Sequence, residues 1–196
     1  MALLRKKTGK KTTKMDKLSS ASIITSCTTV HGDFKGCDTI HIDGHVIGNI
    51  IVTNTIIIGK SGVVEGNIEA KHVIINGVLK GSVKCEKLEV LASAKVSKYI
   101  EAKELILEGD ITGDITGHES IDVLAKSIVH AICIKSKKIT VSGKVQGTVI
   151  ASELLEITDK GFVEGQIAAK SIKTAEGGRM IGTMSTYEEE RVSKKK

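Results

Sequence analysis

Cysteine, histidine and paired carboxylates are the side chains through which this sequence could do chemistry. Cys27, Cys37, Cys85 and Cys133 form no CxxC pair and have no ligand-like pairing with histidine. Cys85 falls at a small inward site equivalent to Ala70, Ala102 and Ala151, which reads as a buried structural thiol. His130 stands where most copies of a repeat carry glycine, and reads as a hydrogen-bonded corner residue. The other five histidines are scattered, with no pair placed to bind metal within or between successive copies. Asp110 and Asp114 flank one turn, where a carbohydrate-active enzyme would place an acid and a base. Isolated acids on a solvated face account for them better. No catalytic, cofactor-binding or metal-ligating residue is expected.

The elements that would position any of these residues follow a short period. The stretch Gly62 to Gly81 reads GVVEGNIEAKHVIINGVLKG. Val64, Gly66, Ile68 and Ala70 share one parity, and Glu65, Asn67, Glu69 and Lys71 the other, as in a half-buried strand. Val73 and Ile75 make a second short strand. Gly77 turns the chain, and Leu79 begins the first phrase again.

That phrase, apolar-x-Gly-x-apolar, is centred on residues 48, 66, 81, 98, 113, 130, 147, 165 and 182, in steps of 18, 15, 17, 15, 17, 17, 18 and 17. Lys98 and His130 replace the central glycine, which predicts a bulge or a corner there. The second phrase (Ile40/Ile42, Ile56/Ile58, Val73/Ile75 and onward) keeps the same beat. Strands and turns at this period predict an all-β solenoid of about nine coils. At roughly 4.8 Å per coil the rod is on the order of 40 Å long.

Composition agrees. Twenty glycines, no proline and 2% aromatics suit a narrow coil whose strands are paired on both sides. The net charge of +6 is carried by the tails. Residues 1–17 hold seven bases and one acid, residues 185–196 four bases and three acids, leaving 18 bases and 19 acids between. A nearly neutral solenoid argues against a nucleic-acid partner. With no run of 18 apolar residues and no apolar signal-like segment near the start, a cytoplasmic protein is expected.

Residues 1–29 read as a disordered basic tail and linker, 30–184 as the β-helix and 185–196 as a charged tail. Met1, Leu3 and Leu4 followed by Arg5, Lys6 and Lys7 combine an apolar tip with basic residues, as a reversible membrane contact would.

The repeated apolar-x-Gly-x-Ile/Val-x-Ala phrase, the run ITDKGFVEGQI ending at Ile167, and a short tail on each side together resemble the bactofilins. The resemblance covers about residues 30–184. It implies a right-handed, roughly triangular parallel β-helix that polymerises end to end, without nucleotide, into non-polar filaments. It also implies attachment of the N-terminal tip to the inner face of the cytoplasmic membrane, as a scaffold for cell shape or cell-wall remodelling. Cell-wall enzymes or membrane proteins would then be its partners, beside its own copies.

Physics supports end-to-end growth independently, because a β-helix leaves strand edges and an apolar cross-section at both ends. Phe34, Ile40 and Ile42 are expected at one end, and Phe162, Ile172, Met180 and Met184 at the other. The competing reading is a β-helix enzyme, acyltransferase-like or carbohydrate-active. Steps of 15 fit badly with hexapeptide turns, and the chain has no long grafted loops.

Overall fold

The computed structural model describes residues 21–187, and every regular element among them is a strand. Each turn of the chain lays one short strand on each of three parallel ladders. Ladder A is built by Ala21–Ile24, Thr39–Ile42, Thr55–Ile58, His72–Ile75 and Lys87–Val90. It continues through the closing parts of Ile100–Leu107, Ile115–Val123, Ile128–Val141 and Lys144–Ile157, and ends with Ile172–Thr174. Ladder B runs from Thr29–His31 to the opening of Arg179–Thr186, and ladder C from Phe34–Gly36 to the close of that same strand. The result is a β-solenoid of about 10 turns.

Alternation builds the core. Ile40, Ile56, Val73, Leu88, Leu105, Ile121, Ile139 and Leu155 stack along one inward column of ladder A and are all buried. Burying each such side chain contributes about 1.5–3 kcal/mol, and each turn rests only on its neighbours.

The phrase read as one strand is two strands on different faces. Val63–Glu65 lies on ladder B and Ile68–Glu69 on ladder C, with the corner between them at Gly66, whose φ is 154°. The inward parity survives the bend, because Val64, Ile68 and Ala70 are all buried. The residue after the glycine pins the corner to the next turn. Asp33 Oδ1 accepts the Asn49 backbone N–H (2.7 Å), Asn49 Oδ1 accepts that of Asn67 (3.1 Å), and Asn67 Oδ1 that of Ser82 (3.3 Å).

Lys98 occupies such a corner with a φ of 93°, the one positive φ outside glycine among the described residues. The expected corner is therefore present, and the side chain escapes outward into solvent. A left-handed conformation costs an L-residue about 1–2 kcal/mol, part of which glycine's unfolded-state entropy offsets. Lys98→Gly should accordingly raise stability by about 0.5–1 kcal/mol in urea unfolding.

His130 is a correction. The ladder pairs Ala131 with Gly147, so the corner is at Ala131, and His130 pairs with Gln146 on the exposed outer face of ladder B. Ile132 is an extra residue at the bulge that follows, 80% exposed, and Cys133 and Ile134 resume the register. The one-residue insertion moved the apparent repeat centre.

The ladder also starts earlier and stops later than the expected boundaries at 30 and 184. Ala21–Ile24 already pairs with Thr39–Ile42, and Arg179–Thr186 continues past Met184. That first rung supplies the coil beyond nine.

Cys85 packs partly buried against the core, as expected from its register with small residues. Burial pushes its thiol up to about 12, whereas Cys27 and Cys37 are exposed. At pH 8 the folded protein should alkylate at Cys27 and Cys37 at least tenfold faster than at Cys85, with the difference vanishing in urea. Mass spectrometry of iodoacetamide-treated protein reads this directly.

Candidate assembly site

The two ends of the solenoid are where strand pairing and core packing stop. At the N-terminal end the inward positions of the first turn are Ser22, Ile24, Val30, Phe34 and Gly36, in register with Ile40, Ile42, Val46, Ile50 and Val52. Ile24 is only 9% exposed, Val30 and Phe34 are half-buried, and the Phe34 ring lies against Gly36. This end is largely filled by its own ring.

The C-terminal end is more open. Ile172, Thr174, Met180, Met184 and Thr186 continue the inward columns above Leu155, Ile157, Val163, Ile167 and Ala169. Ile172 and Met180 are half-buried, while Met184 is 56% exposed. Flexible thioethers over a buried isoleucine form an adaptable apolar surface. No helix lies over either end among the described residues.

Four of the seven expected interface residues therefore stand at an end: Phe34, Ile172, Met180 and Met184. Ile40 and Ile42 do not, because Ser22 and Ile24 cover them, leaving them at most 1% exposed. Phe162 does not either. It precedes the inward Val163 and so points outward from ladder B, with Lys144 Nζ 5.5 Å from its ring centroid. Val30 and Ile24 are end residues that the sequence reading missed. Ile24 lies 18 residues before Ile42, which is one ordinary step of the repeat. The membrane-contact residues Met1, Leu3, Leu4, Arg5, Lys6 and Lys7 lie outside the described residues.

The corner from ladder C to ladder A carries a column of alternating charge: Lys71, Glu86, Lys103, Glu119, Lys137, Glu153 and Lys170, each next to the start of a ladder A strand or segment. Lys103 Nζ donates to Glu86 Oε1 at 2.9 Å. That hydrogen bond and charge, with Lys71 adding a smaller part, hold the Glu86 carboxyl below the usual range. The same pair raises Lys103. Lys80 with Glu65 and Lys173 with Glu156 join neighbouring turns in the same manner, at 3.0 and 2.7 Å. Exposed pairs like these are screened by solvent and add little to stability, so they serve mainly to fix register.

The residues weighed for catalysis have structural positions. Asp114 sits one residue after the corner glycine, and its Oδ1 accepts the Cys133 backbone N–H at 3.1 Å. It does for its corner what Asn67 does for another. A surface hollow of about 440 Å³ spans turns one to five and is bordered by Lys35, Ile51, Asn67, Lys84 and Tyr99. Among the described residues, no three His, Cys, Asp or Glu side chains are grouped to hold a metal ion.

Comparison with known proteins bears on the same ladder. The family model described as "Bactofilin: Polymer-forming cytoskeletal" matches residues 22–109 and again 100–185. Bactofilin BacO of Myxococcus xanthus (strain DK1622) is 29% identical over 89 residues, covering 45% of this chain and 70% of BacO. Bactofilin BacP of the same organism is 29% identical over 86 residues, covering 44% of this chain and 30% of BacP. The match thus spans less than a third of BacP's length. No solved structure matches the chain significantly.

Proposed function

The chain belongs to the bactofilin family of polymer-forming cytoskeletal proteins, and from that premise we propose that its copies join end to end, without nucleotide, into filaments. The observation that carries this reading is that no helix among the described residues lies over either end, and above all that the Met180–Met184 surface is open. An exposed strand edge beside an apolar cross-section is a template for another copy. If each end meets its own kind, the junctions are isologous and their alternation gives a filament without direction. In this reading the chain is a scaffold and not an enzyme.

The basic segment ahead of Ala21 supports a peripheral position on the cytoplasmic membrane. Met1, Leu3 and Leu4 would enter the lipid interface, and Arg5, Lys6 and Lys7 would attract anionic headgroups. From there the filament would organise cell shape or wall remodelling, by recruiting membrane proteins or wall enzymes.

The test is negative-stain microscopy of the purified full-length chain without nucleotide or metal, paired with pelleting from anionic vesicles. Thin filaments and vesicle binding are expected. Uniform monomers or closed small oligomers would overturn the polymer reading, and failure to pellet with vesicles the membrane reading.

A further inference from the structure

The outer face of ladder A changes character along the rod. In its first four strands the outward positions are Ala21, Thr39, Thr55 and His72 in one column, and Ile23, His41, Ile57 and Ile74 in the other. None is an acid, a lysine or an arginine. Ile23 is 67% exposed, and Ile57 and Ile74 are half-buried with outward tops. His41 is paired with Asp43 at 3.1 Å. The column from Ile23 to Ile74 spans three strand spacings, about 14 Å.

Beyond the fourth strand the same face becomes charged and leans acidic. The acids Glu89, Glu104, Asp122 and Glu156 point outward there against the bases Lys87, Lys138 and Lys173. The first four strands therefore present a lipid surface with no acid, lysine or arginine at these positions, whereas the remainder would have to bring charged side chains against it, the pairs Lys87–Glu89 and Lys173–Glu156 among them.

The described chain begins on this face. Residue 20 leads directly into Ala21, the first residue of ladder A, and residues 1–17 carry seven bases against one acid. A second copy docking through the stripe would bring two such cationic segments together. A lipid surface bearing negative charge would neutralise one segment instead.

We propose that the Ile23–Ile57–Ile74 stripe of ladder A is the face that lies on an anionic bilayer, with the basic segment ahead of it supplying the electrostatic attraction. This rests on the membrane reading above and adds to it a contact surface on the folded solenoid. The rod touches lipid with its N-terminal four turns, and its charged C-terminal turns remain in water.

The chain has no tryptophan, so an introduced one is a clean probe. The full-length chain is prepared as Ile57→Trp and, five turns further along the same face, as Thr140→Trp. Each is mixed with vesicles of phosphatidylglycerol and phosphatidylcholine that include brominated lipid. The Ile57→Trp emission is expected to shift blue and to be quenched at least threefold more than that of Thr140→Trp. In a parallel pelleting assay, Ile57→Glu combined with Ile74→Glu should lower the vesicle-bound fraction at least fivefold, with strand content by circular dichroism unchanged. If the wild-type chain binds vesicles but the two tryptophans are quenched equally, the face is wrong while the membrane reading stands. If the wild-type chain does not bind at all, both fall. A blue shift of Ile57→Trp present before lipid is added would assign the stripe to a second copy and overturn the proposal.

Discussion

Replacing Met184 by arginine is expected to leave the solenoid folded and to stop filament growth. Met184 stands over Ile167 in the last turn and is already 56% exposed, so a guanidinium there remains hydrated in the single chain. At a junction it would be pressed against an apolar partner surface, and an unpaired charge taken out of water costs several kcal/mol. A loss of about 3 kcal/mol per contact corresponds to a rise of at least a hundredfold in the concentration needed for assembly. Pelleting across a concentration series measures it, with circular dichroism as the check on folding. Residual dimers would show that the N-terminal ends still meet each other, whereas monomers would mean that N-terminal and C-terminal ends meet. Phe162→Arg is the control, since Phe162 faces outward beside Lys144, and its filaments should persist. Normal assembly of Met184→Arg would contradict end-to-end contact.

The second large effect is expected at a corner. Gly66 has a φ of 154°, and a Cβ there would overlap the backbone carbonyl of Gly48 in the turn before. The same relation repeats up the column, with Gly165 against Gly147 and Gly182 against Gly165. Gly66→Ala therefore meets both an unfavourable conformation and an overlap that only backbone movement relieves. Strained backbone costs about 1–3 kcal/mol and overpacking about 1–3 more, so a loss of roughly 2–6 kcal/mol is expected. Urea unfolding in the Met184→Arg background keeps assembly out of the measurement. A loss below about 1 kcal/mol would mean that the corner yields easily and that close backbone approach does not hold the glycine column in place.

These two sites differ in how far the sequence exposes them. The period of the phrases, and the parity of Val64, Ile68 and Ala70, are enough to read a parallel coil and its inward columns. Three faces per turn are not legible, because a strand that bends at Gly66 keeps its in–out alternation and looks unbroken. Lys98 is legible as a corner, since an inward lysine has no partner in an apolar column. His130 is not, because the bulge at Ile132 shifts the repeat by one residue. Phe162 stands out as one of two phenylalanines late in the chain, yet its place next to inward Val163 already puts it on the outside. Ile40 and Ile42 look terminal because residues 18–29 resemble a linker. Only the spacing of Ile24 from Ile42 betrays the strand that covers them.

The most direct test of end-to-end joining is fibre diffraction from aligned filaments of the full-length chain. Ten turns stacked along the filament place every strand across its axis. End-to-end joining predicts a meridional reflection at about 4.8 Å and an axial spacing of about 48 Å per subunit, doubled to a repeat of about 96 Å where like ends meet. A strand reflection on the equator, with no repeat near the length of the solenoid, would show copies joined side by side and would contradict it.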